Sequence, residues 1–556
     1  MQKLYPRMRQ LAPLALFVAI GAATTIVACN GSNNNDGAPD EAAVTSALQA
    51  QVKNIVVIYA ENRSFDNLYG TFPGANGIPG VNSTATGSYV VQTDRDAAST
   101  VLASLPAVWG GLTAAGQYPV VTQADTTNKV SNKPFMIDQT YPVDESVVTR
   151  DLYHRFYENQ MQIGSTGARD NSKFVAYADA GGLVMGYYDG SRMSLWSLAQ
   201  DYVLADNFFQ GAFGGSFLNH QYLICACAPQ YPNADTAPAK PTITVLDTDA
   251  SGAYLPTLTI NATTSPASAL DGPPTFVTSG NIAPKDYFGS GDGFRAVNTM
   301  QPPYQPSSNA PASDDTTKLY ADTSKPNTLP PQTQTNIGDL LTAKSVSWAW
   351  YAGSWDATLA TATTDRAAIS ANPPNFQFHH QPFNYYAEFD PATHAADRDA
   401  HLKDYKDLVT DAAAGTLPSV TFYKPQGNQN QHPGYANVAD GDAHIADLVQ
   451  RLQASPQWAN MVIVITYDEN GGFWDHVPVP KGDLLGPGTR IPALIISPLA
   501  KKGTVDHTQY DTASILRLIT RRFALDALPG LAARDAALVA GGGKAMGDLT
   551  PALDLK

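Results

Sequence analysis

Glu61-Asn62 and Asp468-Glu469 are the residues of this chain best suited to chemistry. Each pair ends a short β-branched apolar run, Asn54-Ile-Val-Val-Ile-Tyr-Ala60 and Met461-Val-Ile-Val-Ile-Thr-Tyr467. Runs of this kind form strands of a parallel sheet buried on both faces. Ligands of open α/β sheets bind beyond the carboxyl ends of the strands, so both pairs are expected at one crevice. Carboxylate and amide oxygens are hard donors that hold a divalent cation. A metal-dependent hydrolase is the first expectation.

A second set of groups completes that chemistry. Gly214-Gly215-Ser216 opens a helical pattern after a strand that ends near Asp206. A hydroxyl at a helix N-terminus behind glycines meets an anion where backbone N–H groups and the positive dipole end converge. Ser216 therefore stands where a nucleophile toward phosphorus is placed, and an ordinary N-cap serine is the competing reading. His154, the His379-His380 pair, His432 and Asp475-His476 lie in polar, turn-rich sequence, where histidines serve as oxyanion donors or general acids.

The elements that must position these groups alternate between strand and helix. Apolar runs end near Ala60, Asp206, Tyr351, Tyr423, Asp468 and Ser497. Helical patterns cover 216–226, 401–414, 443–453 and 510–522. That alternation predicts a parallel α/β sheet with helices on both faces. Residues 84–142 and 229–331, rich in Pro, Thr, Asn, Ser and Gly, read as long loop excursions from one catalytic domain spanning 51–556.

Composition sets outer limits. With 556 residues and 43% hydrophobic content the chain can bury a large core. A net charge of −15 argues against nucleic-acid binding, but a bound cation can still reverse the local field for a phosphate substrate. Lys3, Arg7 and Arg9, then an apolar stretch to Ile20, then Ile26-Val27-Ala28-Cys29, read as an export signal over 1–28. Small residues before Cys29 resemble a lipobox, which implies that Cys29 is the lipidated residue of a cell-envelope lipoprotein, anchored to the membrane, with 29–50 a flexible tether; a plain secretory signal with a coincidental cysteine, and a secreted protein, is the competing reading. Cys225 and Cys227 are too close in sequence to be expected to bridge, and small apolar packing is their expected role. Oligomeric state is not legible.

Taken in order, Glu61-Asn-Arg-Ser-Phe-Asp66, Gly214-Gly-Ser216 with Asn219-His220, His379-His-Gln-Pro-Phe383, His432-Pro433 and Tyr467-Asp-Glu-Asn-Gly-Gly-Phe-Trp-Asp-His-Val477 resemble the bacterial acid phosphatase and phospholipase C superfamily of phosphoesterases. The resemblance implies an alkaline-phosphatase-like α/β/α sandwich. It implies one divalent metal ion held by Glu61, Asn62, Asp468 and Glu469, with Ser216 as nucleophile and further ligand. Glu469 departs from the two aspartates of the single-metal acid phosphatase branch. His154, His380 and His432 are matched to phosphoryl contacts, with His379 an alternative to its neighbour, and Asp475 and His476 are further candidates. Serine at 216 and the His379-His380 run favour an acid phosphatase acting on small phosphate monoesters through a phosphoserine. Phospholipase C action on phosphodiester headgroups is the alternative.

Overall fold

The runs ahead of Glu61 and Asp468 form neighbouring strands. The computed structural model describes residues 40–556 apart from 166, 233, 235–244, 247–258, 277–282, 285–293, 362–365 and 372–373. Its main sheet is built from β1 (Asn54–Ala60), β2 (Val203–Ala205), β3 (Trp348–Ala352), β4 (Leu402–Asp404), β5 (Val420–Lys424), β6 (Met461–Tyr467), β7 (Ala493–Ile496) and β8 (Thr504–Asp506). The order across the sheet is β4-β3-β5-β1-β6-β7-β2-β8. β1 pairs in parallel with β5 on one side and β6 on the other, and its register with β6 runs unbroken from Asn54↔Met461 to Ala60↔Tyr467. Every residue of β1 and β6 is buried, as expected of strands covered on both faces.

Side-chain alternation shows what covers those faces. Tyr59 of β1 reaches Asn219 O in the Ser216–Cys225 helix. Tyr423 of β5 is in register with Ile58, so it points the opposite way, and its hydroxyl meets His444 Nε2 in the Val438–Gln453 helix at 2.6 Å. The two helices therefore flank opposite faces. On the Val438–Gln453 side, helices Tyr405–Ala414 and Ser194–Asp201 complete the layer, and Ala513–Phe523 packs beside Ser216–Cys225 on the other. The result is an α/β/α sandwich. Helix ends follow local chemistry: Asn437 accepts from the Asp440 N–H at 2.7 Å, and Gly415 closes Tyr405–Ala414 at φ 70°.

Several expectations are corrected. The sheet is mixed, because β7 runs antiparallel to both β6 and β2. No helix intervenes between β6 and β7, and without a crossover the chain returns in the reverse direction. Strands Leu402–Asp404 and Thr504–Asp506 are too short to stand out as apolar runs. Part of the expected tether is ordered: Glu41–Gln51 is a helix with Leu48 buried, and Gln49 donates to Arg521 O at 3.1 Å. The signal segment, Cys29 and the rest of the tether lie outside the described residues. Cys225 and Cys227 form a disulfide with Cα atoms 5.1 Å apart. The helix ends at Cys225 and Ala226 turns left-handed at φ 50°, which brings the two side chains together.

Residues Ala42–Lys556 form one compact unit. Described parts of both excursions join it: Leu102, Leu105, Val108 and Leu112 from the first, and Ala296, Val297 and Met300 from the second, pack into the core. No helix among the described residues is long and apolar enough to cross a membrane.

Candidate active site

The matched ends of β1 and β6 deliver the acidic pairs side by side. The Asn62 backbone N–H donates to Asp468 Oδ1 at 3.0 Å, and the Glu469 N–H donates to the same oxygen at 2.8 Å. Asn62 takes φ 62°, a left-handed turn that asparagine tolerates better than most residues. Glu469 Oε2 accepts from the Gly471 N–H at 2.5 Å. The other oxygens, Asp468 Oδ2 and Glu469 Oε1, are buried with no hydrogen-bond partner among the described residues. Burial raises the Asp468 carboxyl above its usual range, and burial with the neighbouring Asp468 raises Glu469 well above its own.

Ser216 is the first residue of its helix, and its Oγ donates to Asn62 Oδ1 at 3.3 Å. No side chain caps this helix, because the N-cap is Gly215. The first N–H groups are therefore left for a ligand. Three buried amides brace the loop ahead of it. Asn219 Nδ2 donates to Ala212 O, Gly214 O and Gly215 O, while its Oδ1 accepts from Ala212 N–H. Asn159 Oδ1 accepts from Gly214 N–H at 3.3 Å. Gln210 Nε2 donates to Ala212 O at 2.9 Å, and its Oε1 accepts from the Asn470 N–H at 2.9 Å. Gln210 thus ties the loop ahead of Ser216 to the Asp468-Glu469 turn. Gly214 sits at φ 76°, and a Cβ there would lie 2.2 Å from Phe156 N.

A cavity of about 490 Å³ opens above Ser216. His154, His379 and His432 line its polar side, and Leu152, Phe217, Leu218 and Val297 its apolar side. His154 Nδ1 donates to Leu152 O and His432 Nδ1 to Pro433 O, which makes each Nε2 the acceptor nitrogen of the neutral ring. His154 Nε2 lies 3.4 Å from Asn62 Nδ2 and 3.9 Å from Glu469 Oε1. Burial pushes the His432 imidazole below its usual value.

His380 is placed differently from its neighbour. It is not among the cavity residues: its Nε2 contacts Glu61 Oε1 at 2.6 Å, and burial takes its pKa down to about 3. The alternative, His379, is the one that reaches the cavity. Glu61 is engaged on both oxygens. Oε1 meets Lys424 Nζ at 2.9 Å as well as His380, and Oε2 accepts from Asn430 Nδ2 at 2.6 Å and Tyr435 Oη at 2.8 Å. Burial works to raise this carboxyl, but His380 and Lys424 outweigh it and hold it well below the usual range.

Lys424, Asn430 and Tyr435 were not singled out from sequence, and His220 was read only as part of the motif that follows Ser216, with no role of its own. Lys424 is legible only as a charge ending an apolar run. His220 is one helical turn past Ser216, and its Nδ1 meets Ser216 O at 2.7 Å. Its Nε2 is buried without a partner among the described residues, and burial, aided by Lys424, lowers its pKa well below normal. Asp475 and His476 belong to a separate buried network. Asp475 pairs with Arg490 at 2.8 Å, and Asp66 joins His476 at 2.8 Å and Arg490 at 3.2 Å. A guanidinium fills that cluster, so its role is to pin the turns that follow β1 and β6.

The donor set suits a divalent cation. Asp468 Oδ2, Glu469 Oε1 and His220 Nε2 are buried and unpartnered, and the ligand atoms of Glu61, His220 and Asp468 lie within 4.8 Å of one another. Buried charges left unpaired are costly unless they coordinate a metal.

Comparisons with known proteins find phospholipases C among those the chain is similar to. Over 156 residues the chain is 33% identical to non-specific phospholipase C6 of Arabidopsis thaliana, covering 22% of this chain and 30% of that protein. It is 33% identical over 156 residues to phospholipase C B of Mycobacterium tuberculosis, covering 23% and 30%. The matched parts thus span under a third of these relatives' length. A solved protein of the alkaline phosphatase superfamily from Vibrio parahaemolyticus matches 36% of this chain and 50% of its own, at 13% identity and a TM-score of 0.23. That likeness is too slight to bear on the fold, which stands on the sheet and helices themselves. Residues 52–526 match the model of the Phosphoesterase family, and the chain belongs to that family.

Proposed function

We propose that this chain is a metal-dependent phosphoester hydrolase of phospholipase C type, which cleaves phosphodiester headgroups through a covalent phosphoserine at Ser216. One observation carries the reading: Ser216 Oγ lies on Asn62 Oδ1 beside two unpartnered, buried carboxylate oxygens of Asp468 and Glu469. The phospholipase C names of the relatives support a diester substrate. So do the apolar residues Leu152, Phe217, Leu218 and Val297 in the cavity lining, which suit the lipid part of such an ester better than water.

Asn62, Ser216, Asp468 and Glu469 would hold the cation, with Glu61 and His220 adjoining. When bound, it supplies Lewis acidity toward a phosphoryl oxygen and lowers the pKa of a coordinated hydroxyl. The chain does the rest. Ser216 Oγ attacks phosphorus, its proton ends on the leaving oxygen as that bond breaks and the alcohol departs, and the phosphoryl group left on Ser216 keeps the substrate's other ester bond. Water then hydrolyses the phosphoserine and restores the hydroxyl. The helix N–H groups behind Ser216 donate to the phosphoryl oxygens, where transition-state charge resides, and His154, His379 and His432 line the cavity that receives them.

Acid phosphatase action on monoesters is the second reading, favoured by serine at 216 and the His379-His380 run. Parallel assays of p-nitrophenyl phosphorylcholine and p-nitrophenyl phosphate decide between them. Faster diester cleavage supports the phospholipase C reading, and faster monoester cleavage replaces it. Absence of a phosphoryl group on the Ser216 peptide in acid-quenched turnover would overturn the covalent step for both.

A further inference from the structure

Lys424 is the last residue of β5 and is completely buried. Its Nζ stands 2.9 Å from Glu61 Oε1 and 5.6 Å from the centre of the Tyr59 ring. A lysine in that position needs a reason. Desolvating a buried ion pair generally costs more than its attraction returns, and an apolar pair of similar volume would serve packing better.

The reason lies in the charge of the site as a whole. Glu61, Asp468 and Glu469 are all completely buried, and Glu61 and Asp468 have oxygens within 4.8 Å of each other. Arg63, the other buried cation close in sequence, turns away: Nε and Nη2 donate to Gln431 O, and the guanidinium lies over Phe473. Carboxylates that take up an ion do so deprotonated, and in that form three buried carboxylates against one ammonium leave a deficit of two charges, which one divalent cation closes. Without the ammonium the deficit would be three.

We infer that Lys424 is a built-in cation that sets the charge of this site so that one divalent ion, and no more, neutralises it. Lys424 touches Glu61 rather than substrate, so it is a positioning and charge-setting residue. The inference rests on the reading that Asn62, Asp468 and Glu469 hold the ion.

The test is Mn²⁺ binding to the full chain, read by calorimetry and by metal content after dialysis. Wild type is expected to take one ion. Lys424→Met removes a positive charge next to the ion, so it should bind Mn²⁺ at least about tenfold tighter or take up a second ion, a modest demand for a unit charge at an effective dielectric near ~20. Lys424→Arg keeps the charge and should bind as wild type does. The sign is what discriminates, because a variant that merely damages the site binds the ion more weakly. Should Lys424→Met fail to fold, Glu61→Gln and Glu61→Gln/Lys424→Met give the same comparison with no carboxylate left unpaired, and the double variant should bind tighter than the single. Unchanged or weaker binding on removal of the lysine overturns the inference alone. A wild-type chain that binds no divalent ion overturns the metal reading and the inference with it.

Discussion

The backbone N–H of Asn62 donates to Asp468 Oδ1 at 3.0 Å, across 406 positions of sequence. The bond exists because Ala60 and Tyr467 are register partners at the ends of β1 and β6, so both turns leave the sheet at one level. It fixes the amide that receives the Ser216 hydroxyl to the carboxylate that would hold the cation. Turn chemistry closes the arrangement from the far side, where Gly471 packs on Asn62 O.

Replacement of Gly471 by alanine should separate those turns. Gly471 has φ 61°, and a Cβ there would lie 2.2 Å from Asn62 O, which is backbone and has nowhere to go. Strain of this kind costs about 1–3 kcal/mol before the clash is counted. The expected outcome is a lower unfolding midpoint in urea and weaker divalent-ion binding together. A variant with wild-type stability and binding would show that the turns are not interlocked.

Ser216→Ala should fold normally, since the hydroxyl makes one long side-chain hydrogen bond, to Asn62 Oδ1 at 3.3 Å. Turnover should fall by about 10³-fold or more, the scale of a removed nucleophile. Steady-state kinetics with the better of the two p-nitrophenyl substrates checks this, with circular dichroism as the folding control. Turnover within tenfold of wild type would remove Ser216 from the nucleophile's role.

Gln210 joins the two halves of the site, and its loss should show in kcat. Gln210→Leu removes donors to Ala212 O and Gly214 O and the acceptor of Asn470 N–H, all in buried surroundings. Leaving such groups unpaired costs about 1–3 kcal/mol each. With the nucleophile loop no longer tied to the Asp468-Glu469 turn, kcat should drop by about 10²-fold, the scale of a 1 Å misplacement. A change confined to KM would mean that Gln210 supports the cavity and not the reacting groups.

How much of this was legible follows from what each residue depends on. β1, β5 and β6 were readable because unbroken β-branched runs have few alternatives to a buried strand. Asn62, Ser216, Asp468 and Glu469 were readable because hard donors directly after such runs fall at the sheet's carboxyl edge. Lys424, Asn430 and Tyr435 converge on Glu61 only through the β1–β5 pairing and the loop that follows it, which no local pattern reveals. Exchange of roles between His379 and His380 had the same cause: both Nε2 atoms approach Glu61 Oε1, at 3.8 and 2.6 Å, and sequence does not say that only His379 also lines the cavity. The reversed β7 and the Cys225–Cys227 bridge depend on a missing crossover and a left-handed Ala226.

Arg534 should prove essential although it lies beyond the family match at 52–526. It is completely buried on the Pro529–Ala540 helix. Nη1 pairs with Asp511 at 2.6 Å, Nε with Asp483 at 2.8 Å, and Nη2 donates to Gly211 O at 2.7 Å at the base of the loop ahead of Ser216. Removing one member of a buried pair costs about 3–5 kcal/mol. Arg534→Met should lower the unfolding free energy by that amount, and a chain ended after Asp526 should not purify as a folded enzyme. Equilibrium denaturation of the point variant decides: a loss under about 1 kcal/mol, the size expected of an exposed ion pair, would show that the helix is dispensable.

Acid stability should depend on a histidine far from the chemistry. Burial takes His444 down to about 4, with Arg451 reinforcing and Asp447 opposing the shift, while Nε2 receives the Tyr423 hydroxyl at 2.6 Å. An unfolded histidine titrates near ~6.5. Between those values the unfolded chain binds a proton that the folded chain refuses, so this contribution is fully present above about pH 6.5 and is lost as pH falls toward 4. The interval corresponds to about 3 kcal/mol. His444→Gln keeps an acceptor for Tyr423 and cannot take up the proton, so its stability should decline less steeply than wild type between pH 6.5 and 4. Urea unfolding at closely spaced pH values checks this, and parallel curves for the two proteins would show that His444 is already charged in the fold.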